Sequence, residues 1–295
     1  MRRAAVAAAF ALLAFAANSV LCRMALRLPH IDPASFTGIR LGAGALTLWL
    51  LTQARGARRA VGGSWLSAGA MLAYAYPFSF AYVGLTAGTG ALLLFGAVQV
   101  VMIAAGFRAG ERIDRTIVIG WLLAVSGLAL LMLPGISAPP LLQAVFMLAA
   151  GAAWGVYSLH GRRSTDALGD TAGNFVRSVP GALLISALFW AQRPVDPEGV
   201  LLAALSGSIA SGLGYAAWYT ALPSLGAIAA ANAQLSVPVI AALAGVALFR
   251  EPITVRLVAS SVLVLGGTAL AVRRNLSARQ ARAATSGTGA KRIHP

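Results

Sequence analysis

The chain has 295 residues, of which 59% are hydrophobic and only 11% charged, and its mean hydropathy is +0.79. Soluble domains carry about 25% charged residues, so this composition excludes a soluble globule and points to an integral membrane protein. A net charge of +15 would suit a nucleic-acid binder, but the basic residues are divided among short segments, and no nucleic-acid partner is expected.

Apolar stretches of about 20 residues, the length that crosses a bilayer as a helix, recur at 4–22, 35–54, 64–83, 88–107, 116–134, 141–159, 171–191, 199–221, 226–249 and 254–272. The expected fold class is therefore an all-α integral membrane protein with ten transmembrane helices. The first stretch follows Arg2 and Arg3 like a signal peptide, but it is long for one and reads as a retained helix. If the N-terminus is cytoplasmic, the inner segments hold sixteen of the twenty-three Lys and Arg, among them Arg55, Arg58, Arg59, Arg108, Arg162 and Arg163. Outer segments hold five, Arg23, Arg27, Arg193, Arg250 and Arg256. Cytoplasmic loops attract positive charge, so both termini are expected inside, in a multi-pass protein of the bacterial inner membrane. The single cysteine, Cys22, cannot form an intramolecular disulfide. Residues 275–295 lack apolar periodicity and read as a basic, mobile cytoplasmic tail.

Two charged corners interrupt the apolar pattern, GFRAGERIDR at 106–115 and ALFREPITVR at 247–256. At an offset of 140, Glu111, Ile113, Gly127 and Leu130 meet Glu251, Ile253, Gly267 and Leu270. At offset 137, IRLGAGAL (39–46) meets VRSVPGAL (176–183), which aligns Arg40 with Arg177, and Tyr76 meets Tyr215 at offset 139. The chain thus reads as one five-helix unit written twice, residues 1–134 and 135–274. Five is odd, so the second copy enters the bilayer from the opposite side. Such an inverted repeat supports alternating access around a site between the halves. The small-residue pairs Gly38/Gly42, Gly151/Gly155 and Ser208/Gly212 are expected at close helix contacts.

The motifs that carry a family resemblance are Arg40, Tyr76, Glu111-Arg112-Ile113, Trp154-Gly155, Arg177, GYAAW (214–218), Ser236-Val237-Pro238 and the glycine pair Gly266-Gly267. In this order the chain resembles the drug/metabolite transporter superfamily, specifically its EamA-type ten-helix exporters, over roughly residues 4–272. The tryptophan of helix six and YAAW of helix eight are similar to the YddG-type amino-acid exporters. The first half departs from the pattern: Ala16-Ala17-Asn18 stands where the second half has Trp154-Gly155, and Val98-Gln99 where it has Val237-Pro238. The resemblance implies export of amino acids, aromatic or neutral, or of similar small metabolites. An exporter of drugs or organic cations is the alternative.

Polar and aromatic residues inside apolar spans mark a solute path, because lipid-facing positions are plain aliphatic. The substrate-pathway candidates are Asn18, Arg40, Tyr76, Phe80, Phe95, Gln99, Trp154, Tyr157, Arg177, Ser211, Tyr215, Trp218, Tyr219 and Asn232. Tyr215, Trp218 and Tyr219 share one helix face. On helix three, Tyr76 and Phe80 form one stripe and Tyr74, Phe78 and Tyr82 another; the repeat favours the Tyr76 stripe as the inward one. Arg40 and Arg177 are either carboxylate clamps or structural partners of carbonyl ends. Asn232 and Gln234 lie on different faces, so one of them at most faces the path.

All eight acidic residues fall in loops or at span ends. No mid-membrane carboxylate is available to exchange protons, and uniport-like export or exchange is expected. Glu111 with Arg112, and Glu251 with Arg250, are expected to cap hairpin corners or to gate. No metal cluster with ligand spacing, no cofactor and no catalytic residues are expected. A lipid-modifying membrane enzyme, which needs clustered acids or histidines, is the remote alternative. The partners expected are a small-molecule substrate and membrane lipid, with a monomer as the simplest assembly.

Overall fold

The computed structural model describes residues 2–28, 31–56, 62–108, 115–135, 138–161, 164–189, 195–218, 220–221 and 234–270. Among them there are ten helices and no strand. They are α1 (Arg2–Arg27), α2 (Pro33–Ala54), α3 (Trp65–Tyr82), α4 (Ala87–Arg108), α5 (Arg115–Met132), α6 (Leu141–Gly161) and α7 (Ala167–Leu188), then α8 (Pro197–Trp218), α9 (Ser236–Phe249) and α10 (Val255–Leu270). Five of these, α1, α2, α5, α6 and α8, are long and apolar enough to cross a membrane by length and composition.

Local chemistry sets the helix starts. Asp32 caps α2, its Oδ1 accepting from the Ala34 and Ser35 N–H groups at 2.9 Å each, with Pro33 in the first turn. Asp166 caps α7 and Asp196 caps α8, each accepting from an N–H three residues on. Ser64, Thr86 and Thr254 do the same for α3, α4 and α10. A side-chain oxygen there satisfies an N–H that the helix itself leaves free. Three of the acids are thus accounted for as helix starts.

Among the described residues, helix α8 departs from regular α geometry in a way that periodicity could not foresee. Residues Ser206–Leu213 form a π segment inside it. One boundary also differs from expectation. Helix α1 continues to Arg27, so Arg23 and Arg27 ride on the helix rather than in a loop. The described part of α9 begins at Ser236, where the sequence pattern began a span at 226; residues 222–233 lie outside the described part.

Helix neighbours follow a pattern. Helix α3 packs on α6 and α1 on α8; α4 packs on α6 and α1 on α9; α3 packs on α7 and α2 on α8. Exchanging each helix for the one five places away maps each pair onto the other. The contacts of α2 with α7 and of α4 with α9, and of α5 with α10, map onto themselves, whereas contacts within the first half, such as α2 with α3 and α1 with α3, have no counterpart of similar extent among the described residues of the second. Small residues make these approaches possible. A Cβ on Gly38 would overlap Ser186 Oγ, and one on Gly151 would lie 2.6 Å from Leu94 O. A Cβ on Gly207 would overlap the Arg40 carbonyl oxygen. Gly42 departs from expectation, with nothing within 4 Å of its Cβ position; Gly44 makes the contact instead, 2.7 Å from the Phe175 ring.

The core is drawn mainly from α1, α2, α3, α4, α6, α7 and α8. Large apolar side chains point outward on the periphery, among them Ile119, Leu122, Leu183, Leu184, Val255 and Val262. In water such a surface would be unfavourable; against lipid tails it is the expected exterior.

Candidate functional site

Trp154 of α6 is the hub of a ring cluster. Its indole lies 4.9 Å from the Tyr74 ring of α3, 5.3 Å from Tyr215 of α8, and 5.3 Å from Tyr157, on which it stacks. Tyr215 also meets Phe15 of α1 at 5.7 Å and Phe175 of α7 at 6.0 Å. Phe15 reaches Trp218 at 5.9 Å. On the other side Tyr74 continues to Phe78 at 5.3 Å and Phe78 to Tyr82 at 4.9 Å. These centroid distances are those at which tilted and edge-on rings attract. Five helices contribute, from both halves of the chain.

Arg40 of α2 lies beside this cluster and is 2% exposed. Its Cζ sits 5.0 Å from the Phe78 centroid and 5.6 Å from that of Tyr74, so the guanidinium charge rests on two ring faces. Nη2 donates to the Ala75 carbonyl at 3.4 Å, a long bond, and Nη1 has no partner. A short polar chain crosses nearby: Ser206 Oγ donates to Asn18 Oδ1 at 2.6 Å, and Asn18 Nδ2 to the Tyr74 hydroxyl at 3.3 Å. Ser206 opens the π segment of α8, so this chain links α1, α3 and α8.

Two ties hold the helix ends. At one, Arg23 Nε pairs with Glu251 Oε1 at 3.1 Å, and Arg23 Nη1 donates to the carbonyls of Tyr82 and Val83. Glu251 Oε2 accepts from the Ala87 N–H at 2.8 Å, at the start of α4. One carboxylate and one guanidinium thus join α1, α3, α4 and the α9–α10 corner. Of the two corner residues, Glu251 makes these contacts, while Arg250 is exposed and ends α9 in the left-handed conformation, φ 55°. At the other tie, the segment before α3 is clamped to α7. The Gly63 N–H donates to Asp170 Oδ1 at 2.8 Å, the Ser64 N–H to Asn174 Oδ1 at 2.9 Å, and Arg177 Nη1 to the Gly62 carbonyl. Asn174 Nδ2 reaches the Tyr157 hydroxyl at 3.4 Å, linking this clamp to the rings.

Of the sequence candidates, Asn18, Arg40, Trp154, Tyr157, Tyr215 and Trp218 are brought together. Phe95 and Gln99 are buried one turn apart on α4, and Ser211 is buried within the π segment. Arg177 is set apart in the clamp. The preference for the Tyr76 stripe over that of Tyr74 is reversed. Tyr76 donates its hydroxyl to Ala182 O at 2.8 Å on α7. Phe80 packs on Phe146 and Phe189, while Tyr74 and Phe78 reach the hub. Tyr219, Asn232, Glu111 and Arg112 lie outside the described residues. Phe15, Asn174, Phe175 and Ser206 were not among the candidates. Phe15, a ring in an alanine-rich helix, was the one with a visible signal.

The profile of the EamA-like transporter family matches residues 141–273. The uncharacterized protein PA1977 of Pseudomonas aeruginosa is 51% identical over 97% of this chain and 99% of its own length. A protein of known crystal structure, 18% identical, shares the fold with a TM-score of 0.63 over 91% of this chain and 96% of its own.

Proposed function

Because the chain belongs to the EamA-like transporter family, we propose that it exports amino acids or similar small metabolites across the bacterial inner membrane by alternating access. The family places it among multi-pass membrane transporters of small molecules; the substrate, the direction and the cycle are the proposal. One observation carries it: an aromatic hub built by both halves, Trp154 among Tyr74, Tyr157 and Tyr215, with a buried guanidinium on its edge. Such walls suit a solute with an apolar side and a charged head.

The interchangeable helix pairs support an inverted repeat of residues 1–134 and 135–274. Two similar units can pack in two nearly equivalent ways, one open to each side. With both termini cytoplasmic, the Arg23–Glu251 tie lies on the outer side and the clamp at Gly62–Ser64 on the inner side. Both are engaged around the hub; in this proposal the arrangement is the occluded step of the cycle, and each tie breaks in turn. Coupling to protons is not part of the reading, since the acids stand at helix starts and corners rather than at mid-span.

The test is flux. Proteoliposomes holding the full chain are loaded with a panel of radiolabelled amino acids, with Trp154→Ala as the comparison. Saturable movement of at least one amino acid, reduced in Trp154→Ala and unchanged by an imposed pH gradient, is the expected result. Movement of none, or location of the two chain ends on different faces of the bilayer, would sink the reading. Export of organic cations is favoured by the rings taken alone. Competition between zwitterionic and purely cationic solutes decides between the two.

A further inference from the structure

We propose that Arg40 makes the hub a carboxylate site: the solute it takes is a monocarboxylate with a flat apolar body, and an amine on that solute is not what is recognised. This rests on the transport reading and narrows its substrate class.

A guanidinium offers five N–H donors and cannot lose its charge. At Arg40 the described contacts are one long bond to Ala75 O, the Tyr74 hydroxyl and two ring faces, and Nη1 is buried without a partner. Arg40 forms no ion pair among the described residues. Removing one partner of a buried charge is costly, so a buried arginine left in this state calls for an anion. The described acids do not supply it. Asp32, buried and with its Oδ2 also without a partner, stands eight residues away on α2, about 12 Å along the axis and out of reach of an ion pair, and its Oδ1 caps that helix. Glu251 is held by Arg23 and the Ala87 N–H. Asp170 accepts from Gly63 and Ser164.

The same inventory argues against recognition of an amine. An ammonium in the cluster would find a guanidinium of like charge. The amides bonded to ring hydroxyls, Asn18 and Asn174, are already engaged, with Tyr74 and Ser206, and with Tyr157 and the Ser64 N–H. A carboxylate, by contrast, matches the guanidinium fork. From Arg40 the rings run through Tyr74 to Trp154 and Tyr215, giving a flat body somewhere to lie. Nη1 is sealed in the occluded conformation, so the anion reaches it only when the helices part.

The experiment uses the purified full chain in detergent and follows its tryptophan fluorescence. The probes are 3-phenylpropionate, phenylalanine and 3-phenylpropylamine, which share a ring and differ in charge. Saturable quenching by the acid and by phenylalanine is expected, with the amine weaker by at least about tenfold, as for a lost bond to a charged group. Arg40→Gln lowers affinity for the acid by a similar factor, and Arg40→Lys recovers part of it. Equal binding of amine and acid overturns the proposal, and that wild-type comparison decides even if a variant misfolds. Unchanged binding of the acid by a monodisperse Arg40→Gln protein overturns it too, as does the same saturable change with chloride alone. The two readings fail separately. Binding of the acid with no solute flux in proteoliposomes removes transport and leaves the site; flux of the amine as fast as the acid does the reverse.

Discussion

Arg40 of α2 is 2% exposed and lies over the rings of Tyr74 and Phe78. Arg177, at the aligned position of α7, is half-buried and donates to the Gly62 carbonyl. Of the two arginines that the sequence alignment pairs, one rests on the aromatic rings and the other is a fastening. The difference lies in the neighbours. Helix α2 meets α8 where Gly44 and Gly207 let the backbones close over Arg40. Around Arg177 stands the polar clamp of Asp170 and Asn174. On the proposed repeat the frame is shared, and single residues decide which half does which work.

That contrast can be broken most directly at Arg40 itself. Arg40→Met is expected to reduce solute flux by about 10–150-fold, the range for a lost bond to a charged group. Its melting temperature is expected to hold or rise, because an unpaired buried charge is itself destabilising. Arg177→Met should do the opposite, keeping substrate affinity within about twofold and lowering the melting temperature through loss of a bond of about 1.5–3 kcal/mol. Parallel thermal melts and flux assays check both; matching profiles for the two variants would erase the distinction. Next in size is Gly207→Ala, whose new Cβ overlaps Arg40 O. Overpacking there should cost about 1–3 kcal/mol, while Gly42→Ala, with open space at its Cβ position, should leave the melt unchanged. Glu251→Gln removes the charge from a pair whose side chains are 14% and 10% exposed. A loss of about 1 kcal/mol is expected, between the surface and the buried case, with faster amide exchange at the start of α4. Smallest is Tyr76→Phe, which deletes the bond to Ala182 O and should lower stability by about 0.5–1.5 kcal/mol without changing affinity.

The apolar stretches were legible because length acts locally; the acids were placed at span ends, but that Asp32, Asp166 and Asp196 cap helices came only with the structure. Trp154, Tyr157, Tyr215 and Trp218 were legible because a ring deep in an apolar span stands out. The choice between the two stripes of α3 was not. Helical spacing shows that Tyr74 and Tyr76 lie on different faces but says nothing of which face turns inward. The alignment of Tyr76 with Tyr215 misled for a physical reason. Tyr215 follows the π segment of α8, and α3 carries Pro77 but no such segment. A π turn takes more residues than an α turn, so everything after it is rotated about the axis. Aligned residues then no longer share a face. Asn174 and Ser206 were missed because short polar side chains mark no pattern until the helices that bring their partners are placed.

The close approach at Gly207 has one more consequence. With the Arg40 carbonyl against Gly207, and the Gly207 carbonyl 3.1 Å from where a Cβ on Gly44 would stand, α2 and α8 are keyed together across the two halves. Sliding one along the other by even a residue would bring a side chain into that contact. In the proposed cycle the two helices are therefore expected to travel as a single lever, pivoting around this point rather than shearing through it.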